Sequence, residues 1–274
     1  MHEHSAETGA PALLPWLLLA SILCFYLLAA VREQRRPAGW RAGRSLAFAA
    51  GILLLGAAWA SPLASLTHQD LRAHMVQHLL IGMLAPLGLV SGAPLTLALR
   101  ALPARFSQPA ARFLGSRALR PLAHPFSALF FNIGGMYLLY LTPLFAASLE
   151  APWLHSLILA HFLLAGSLFT WAVLSPPGVR SRVPAQTRLA ALLLSTGAHA
   201  VLGKLMYAYA LPRTALFGAE QVRAAAQIMY YGGDLAEILL AVLFFGLWYR
   251  DRARRSQGRP PSQARPAEVM LDPW

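Results

Sequence analysis

Long apolar runs separated by short polar segments dominate the chain, at residues 13–31, 46–66, 73–97, 127–149, 154–174, 188–210 and 227–249. An α-helix rises 1.5 Å per residue, so about 20 residues cross roughly 30 Å of hydrocarbon. Each run is near or above that length. The pattern predicts an all-α integral membrane bundle of seven transmembrane helices over residues 13–249, after a short segment 1–12. Residues 250–274 are rich in Arg, Pro, Gln and Ser without apolar period and read as a disordered tail. The first run could pass for a signal peptide, but His2, Glu3, His4 and Glu7 precede it and its basic cluster follows it, the flanks of a retained helix.

Composition agrees with a bilayer as solvent. Of 274 residues, 57% are hydrophobic and 12% charged, about half the charge of a soluble domain. The net charge of +12 would suggest nucleic acid if its bases were clustered on one folded face. They lie instead in alternate loops: segments 32–45, 98–126, 175–187 and 250–274 hold 18 of the 22 Arg. The opposite loops hold Arg72, Arg213 and Arg223. Because basic loops stay cytoplasmic, the amino terminus is expected outside and the carboxyl terminus inside, with Arg meeting anionic lipid and no nucleic acid needed. The single cysteine, Cys24, excludes a disulfide framework and a CxxC motif, so a metal site must draw on His, Met or carboxylates.

Ionisable groups inside membrane helices are costly and survive with a partner or a task. The third helix begins Asp70-Leu71-Arg72-Ala73-His74-Met75-Val76-Gln77-His78, and steps of four put Asp70, His74 and His78 on one face. The fifth carries His155 and His161, six apart and so displaced by roughly 120°, which leaves one of them free to face away from the centre. The sixth adds His199 and Lys204, and the seventh Asp234 and Glu237. Counted inward from the helix ends, His78, His161, Lys204 and Asp234 share a depth of roughly 8–11 Å, with His199 and Glu237 deeper, consistent with one outward-opening polar pocket.

Blander roles exist for each group. His74, His78 and His155 suit a membrane interface, His161 and His199 suit interhelical hydrogen bonds, and Lys204 suits an ion pair with Asp234 or Glu237. Met75 and Met83 are ordinary core fillers as well as soft donors for Cu(I). Two His at i and i+4 are a metal-binding pattern. Imidazole with nearby thioether points first to copper, with zinc left open.

The stretch Ala73-His74-Met75-Val76-Gln77-His78-Leu79-Leu80, followed by Ala85-Pro86 and Gly92-Ala93-Pro94-Leu95, resembles the signature of the caa3-type CtaG family of cytochrome c oxidase assembly factors. Similar elements follow at His124-Pro125, at Tyr137 and Tyr140 through Thr142-Pro143-Leu144-Phe145, and at His155, His161-Phe162-Leu163, Gly166 and Phe169. His199 with Gly203 and the pair Gly233-Asp234 extend the likeness over residues 45–250. Before the last helix, Glu220-Gln221 stands where the family has Asp-Gln. The resemblance implies a non-enzymatic factor of the bacterial plasma membrane that assists copper delivery to the catalytic subunit of a haem–copper oxidase. It further implies oxidase subunits and a periplasmic copper chaperone as partners. The ligands it implies are His74 and His78, then His161 and His155, with Asp70, Met75, His199, Lys204, Asp234 and Glu237 as supporting or relay groups.

Other classes fit parts of the pattern. A b-type haem protein needs axial His from two helices, such as His78 with His161 or His199. A copper permease or a respiratory-complex subunit shares the topology. A retinal protein would place its Schiff-base lysine at Lys204, on the sixth helix and without a recognisable retinal pattern. No GxSxG, phosphate-binding Gly loop or HExxH is present, so no enzymatic activity is expected.

Overall fold

A computed structural model describes residues 10–37, 39–59, 62–67, 69–175, 183–214 and 216–257. His2 and His4 lie outside these, as do residues 258–274. The described chain is helical, without strands: α1 Ala10–Gln34, α2 Ala42–Trp59, α3 Pro62–Leu66, α4 Leu71–Ser91, α5 Pro94–Ala101, α6 Ala104–Leu114, α7 Pro125–Leu141, α8 Leu144–Glu150, α9 Pro152–Leu174, α10 Ala185–Tyr209 and α11 Ala219–Gln257.

Six of these helices are long and apolar enough to cross a membrane, and the bent pair α7–α8 makes a seventh if it is one span. Their outer faces carry large apolar side chains in the open, among them Phe25, Leu46, Phe130, Trp153 and Leu164. So much bare apolar surface is expected only where lipid covers it.

Several predicted runs are divided. The run 46–66 is broken after Trp59, and α4 stops at Gly92 because Ala93 adopts φ +49°, so 94–97 belong to a separate helix. The run 127–149 bends by 77° at Thr142-Pro143. A proline disfavours helical backbone in the residue before it, and Thr142 is extended at φ −123°, ψ 171°. The bend turns α8 so that Phe145 contacts His74 of α4. At the other extreme α11 runs on to Gln257, so residues 250–257 are helical rather than disordered. The segment 98–126, read as a loop, contains α6. Its exposed Phe106 and Phe113 lie among Arg105 and Arg112, as in helices resting at a membrane interface.

Within α4 the residues Leu80–Leu84 form a π-turn. Pro86 cannot donate to Gly82, and its ring would crowd that carbonyl in a regular helix; the wider turn accommodates both. The Gly82 carbonyl oxygen is freed toward α9 and rests on Gly166, where a Cβ would collide with it. Just before this turn, α4 presents His74 and His78.

Candidate functional site

The site is built where α4, α9 and α11 begin and α10 ends. Asp70 caps α4, accepting from the Arg72 backbone N–H at 2.8 Å and from its guanidinium at 2.7 Å, while Gln221 of α11 donates to the same carboxylate at 3.0 Å. The Arg72 guanidinium holds the Asp70 carboxyl down at about 2. Asp70 thus fastens α4 to α11; it does not join the histidines below it.

One and two turns further in, His74 and His78 lie with ring centroids 4.4 Å apart, their planes tilted by 31°. His155 approaches from the first turn of α9, its ring 5.5 Å from that of His74. All three are buried. Phe145, delivered by the bend at Thr142-Pro143, sets its edge 5.0 Å from His74 at 88°, and Phe162 flanks His78 at 4.8 Å. The Tyr140 hydroxyl lies 3.0 Å from Nδ1 of His78, whose Nε2 has no hydrogen-bond partner. Three imidazoles from two helices therefore lie side by side in an aromatic enclosure, their nitrogens spaced more widely than the donor atoms of the polar group on α10 and α11.

His161 is not brought to this group. It is exposed on the outer face of α9, with Nε2 3.2 Å from the Phe131 carbonyl oxygen. The 120° offset from His155 expected of a six-residue step decides this: His155 turns in and His161 turns out.

A second polar group lies on α10 and α11. His199 is fully buried against Gly233, where no Cβ has room, and neither of its ring nitrogens is hydrogen-bonded. One ligand atom each from His199, Asp234 and Glu237 lie within 4.8 Å of one another. Ser195 donates to Glu237 Oε1 at 3.3 Å. Lys204, expected as an ion-pair partner, is exposed, with Nζ 5.9 Å over the Tyr230 ring and no salt bridge to either carboxylate. His78 and His199 both line one small internal cavity, together with Met75, Met136, Tyr140 and Met229. Of these, Met136 and Met229 were not singled out in the sequence, because a thioether in an apolar run looks like any core residue. Tyr140 was legible only as part of a motif; a hydroxyl inside an apolar run is a signal, but its partner is not.

The curated relatives include an uncharacterized protein of Mycobacterium leprae, 33% identical over 186 residues, a match covering 65% of this chain and 28% of that protein. Uncharacterized proteins of Mycobacterium bovis and Mycobacterium tuberculosis are each 35% identical over 178 residues, covering 62% of this chain and 27% of theirs. The chain thus spans little more than a quarter of the length of the curated relatives it matches. No solved structure matches it. The family described as cytochrome c oxidase caa3 assembly factor (CtaG) matches residues 24–251, a stretch that includes every residue of the site. The chain belongs to this caa3-type CtaG family of cytochrome c oxidase assembly factors.

Proposed function

We propose that this chain assists assembly of a haem–copper oxidase by holding copper at His74, His78 and His155 and passing it toward the oxidase catalytic subunit. The observation that carries the reading is the side-by-side placement of three buried imidazoles from α4 and α9 in one aromatic enclosure. Imidazole is a good ligand for copper, and all three donors are neutral when they bind. If Nδ1–H of His78 donates to Tyr140, Nε2 keeps its lone pair for a metal; this is the usual way a second hydrogen bond orients a ligating imidazole. His161 has no part in the site.

With the amino terminus outside, as the Arg distribution favours, the three histidines lie near the outer, oxidising side of a bacterial plasma membrane. There a periplasmic copper chaperone can supply the ion and oxidase subunits can receive it. Copper is cargo in this reading, and the chain is not an enzyme. A haem reading has less room: the cavity between His78 and His199 is about 20 Å³, far below the size of a macrocycle.

The test is a strain lacking this chain, complemented with wild type or with His155→Ala. The reading expects the variant, at equal membrane abundance, to yield oxidase deficient in copper and activity, restored in part by added copper. Fully copper-loaded oxidase in the His155→Ala strain would refute it.

A further inference from the structure

The cavity that joins His78 to His199 has an unusual lining for an apolar core. Four of the chain's seven methionines, Met75, Met83, Met136 and Met229, converge on it from α4, α7 and α11. Its volume is about 20 Å³, enough for one water-sized body. Water would be poorly held there, since it needs two to four polar partners and most of the lining is thioether and hydrocarbon. Two imidazoles line the same space, and both carry nitrogens that have no hydrogen-bond partner: Nε2 of His78 and both nitrogens of His199, which is completely buried. An unpartnered buried polar atom is costly to keep, and a soft cation would relieve it.

Methionine alone is a common core filler. Here, though, the thioethers surround a space rather than fill it, and the unsatisfied imidazoles line the same space. Thioether with imidazole is a donor set that favours Cu(I) over harder divalent ions.

We propose that this methionine-lined cavity is a second copper site, specific for Cu(I), separate from the three-histidine site and reached from it through His78. The inference rests on the copper reading above. His78 stands in both places, beside His74 and lining the cavity, so one imidazole can release the ion from the outer group to the thioethers without the ion entering lipid. Asp234 and Glu237 each bring a carboxylate oxygen within 4.8 Å of a His199 nitrogen, so negative charge stands beside the cavity. The ion passes from one site to the other as Cu(I), so no change of oxidation state is involved, and Cu(II) serves below only to probe the imidazole site.

The test uses the detergent-purified full chain with Ag(I) as a redox-inert stand-in for Cu(I), and Cu(II) as the probe of the imidazole site. Because the exposed thiol of Cys24 would itself take Ag(I), every protein compared carries Cys24→Ser, and X-ray absorption on this otherwise wild-type chain loaded with Ag(I) is expected to show sulfur neighbours. Met136→Leu/Met229→Leu, a volume-conserving pair, should lose that sulfur signal, with Ag(I) binding weakened on the order of tenfold or more, while Cu(II) binding stays at wild-type strength. Ag(I) with only nitrogen and oxygen neighbours in the wild type, or unaltered Ag(I) binding in the folded double variant, overturns the proposal. The wild-type spectrum decides even if the variant does not fold. Sulfur-bound Ag(I) in a protein that takes up no Cu(II) would leave the cavity site standing and remove the three-histidine site.

Discussion

The hydroxyl of Tyr140, on α7, lies 3.0 Å from Nδ1 of His78, on α4, and both side chains are buried. The contact ties two helices together at the metal-binding candidate and leaves one nitrogen of the imidazole for other work. Tyr140 also contacts the cavity beyond His78, so it borders both halves of the polar interior.

Tyr140→Phe keeps the ring and removes the hydroxyl. The expected outcome is a loss of about 10–100-fold in copper affinity, the usual cost of losing a group that orients a ligand. Stability should fall by only about 1 kcal/mol for one buried hydrogen bond. Copper titration beside thermal unfolding in detergent separates the two; unchanged copper affinity would remove Tyr140 from the site.

His161→Ala is expected to leave copper binding at the wild-type level, because His161 faces outward and its nitrogen meets a backbone carbonyl. His155→Ala, six residues earlier on the same helix, should lower it sharply. Equal losses from the two would mean that α9 is rotated from the orientation described.

Much of this arrangement was legible in the sequence, for a simple reason: a lipid-crossing helix declares itself by apolar length alone. The approach of His74 to His78 followed from a four-residue step. Depth was a weaker guide. Counting residues inward puts His78, His161, Lys204 and Asp234 at one level, yet His161 and Lys204 are exposed, since depth says nothing about rotation about a helix axis. The break at Thr142-Pro143 was hidden because apolar residues continue through it. That break matters, since it delivers Phe145 to His74. The convergence of Met136 and Met229 with Met75 depends on three helices at once, which no local pattern encodes.

Close helix approach gives a stability prediction. A Cβ at position 166 would strike the Gly82 carbonyl oxygen, whereas one at position 197 meets nothing within 4 Å. Gly166→Ala should therefore destabilise by on the order of 1–3 kcal/mol, the range for overpacking. Gly197→Ala, in a helix interior, should be neutral or stabilising by up to about 1 kcal/mol. Unfolding temperatures of the two variants in one detergent check the contrast.

Asp70 sets an acid limit. Its carboxyl is held at about 2 by Arg72, below the usual carboxylate range, so folding stabilises the charged form. The contribution is fully present above the ordinary carboxylate pKa and is lost as pH falls through about 2. The stability gap between wild type and Asp70→Asn should be constant from pH 7 to 5 and shrink below pH 4. Salt should reduce it at every pH, since the Asp70–Arg72 pair is partly exposed. Unfolding measured across pH and salt tests both statements.

His74, His78 and His155 are proposed to hold one copper ion between them. The most direct measurement is elemental analysis with electron paramagnetic resonance of Cu(II)-loaded, detergent-purified full chain, for wild type beside His74→Ala/His155→Ala. Nitrogen-coordinated Cu(II) is expected in the wild type and absent from the folded double variant. Cu(II) held equally by both proteins, or a haem spectrum in place of a copper one, would contradict it.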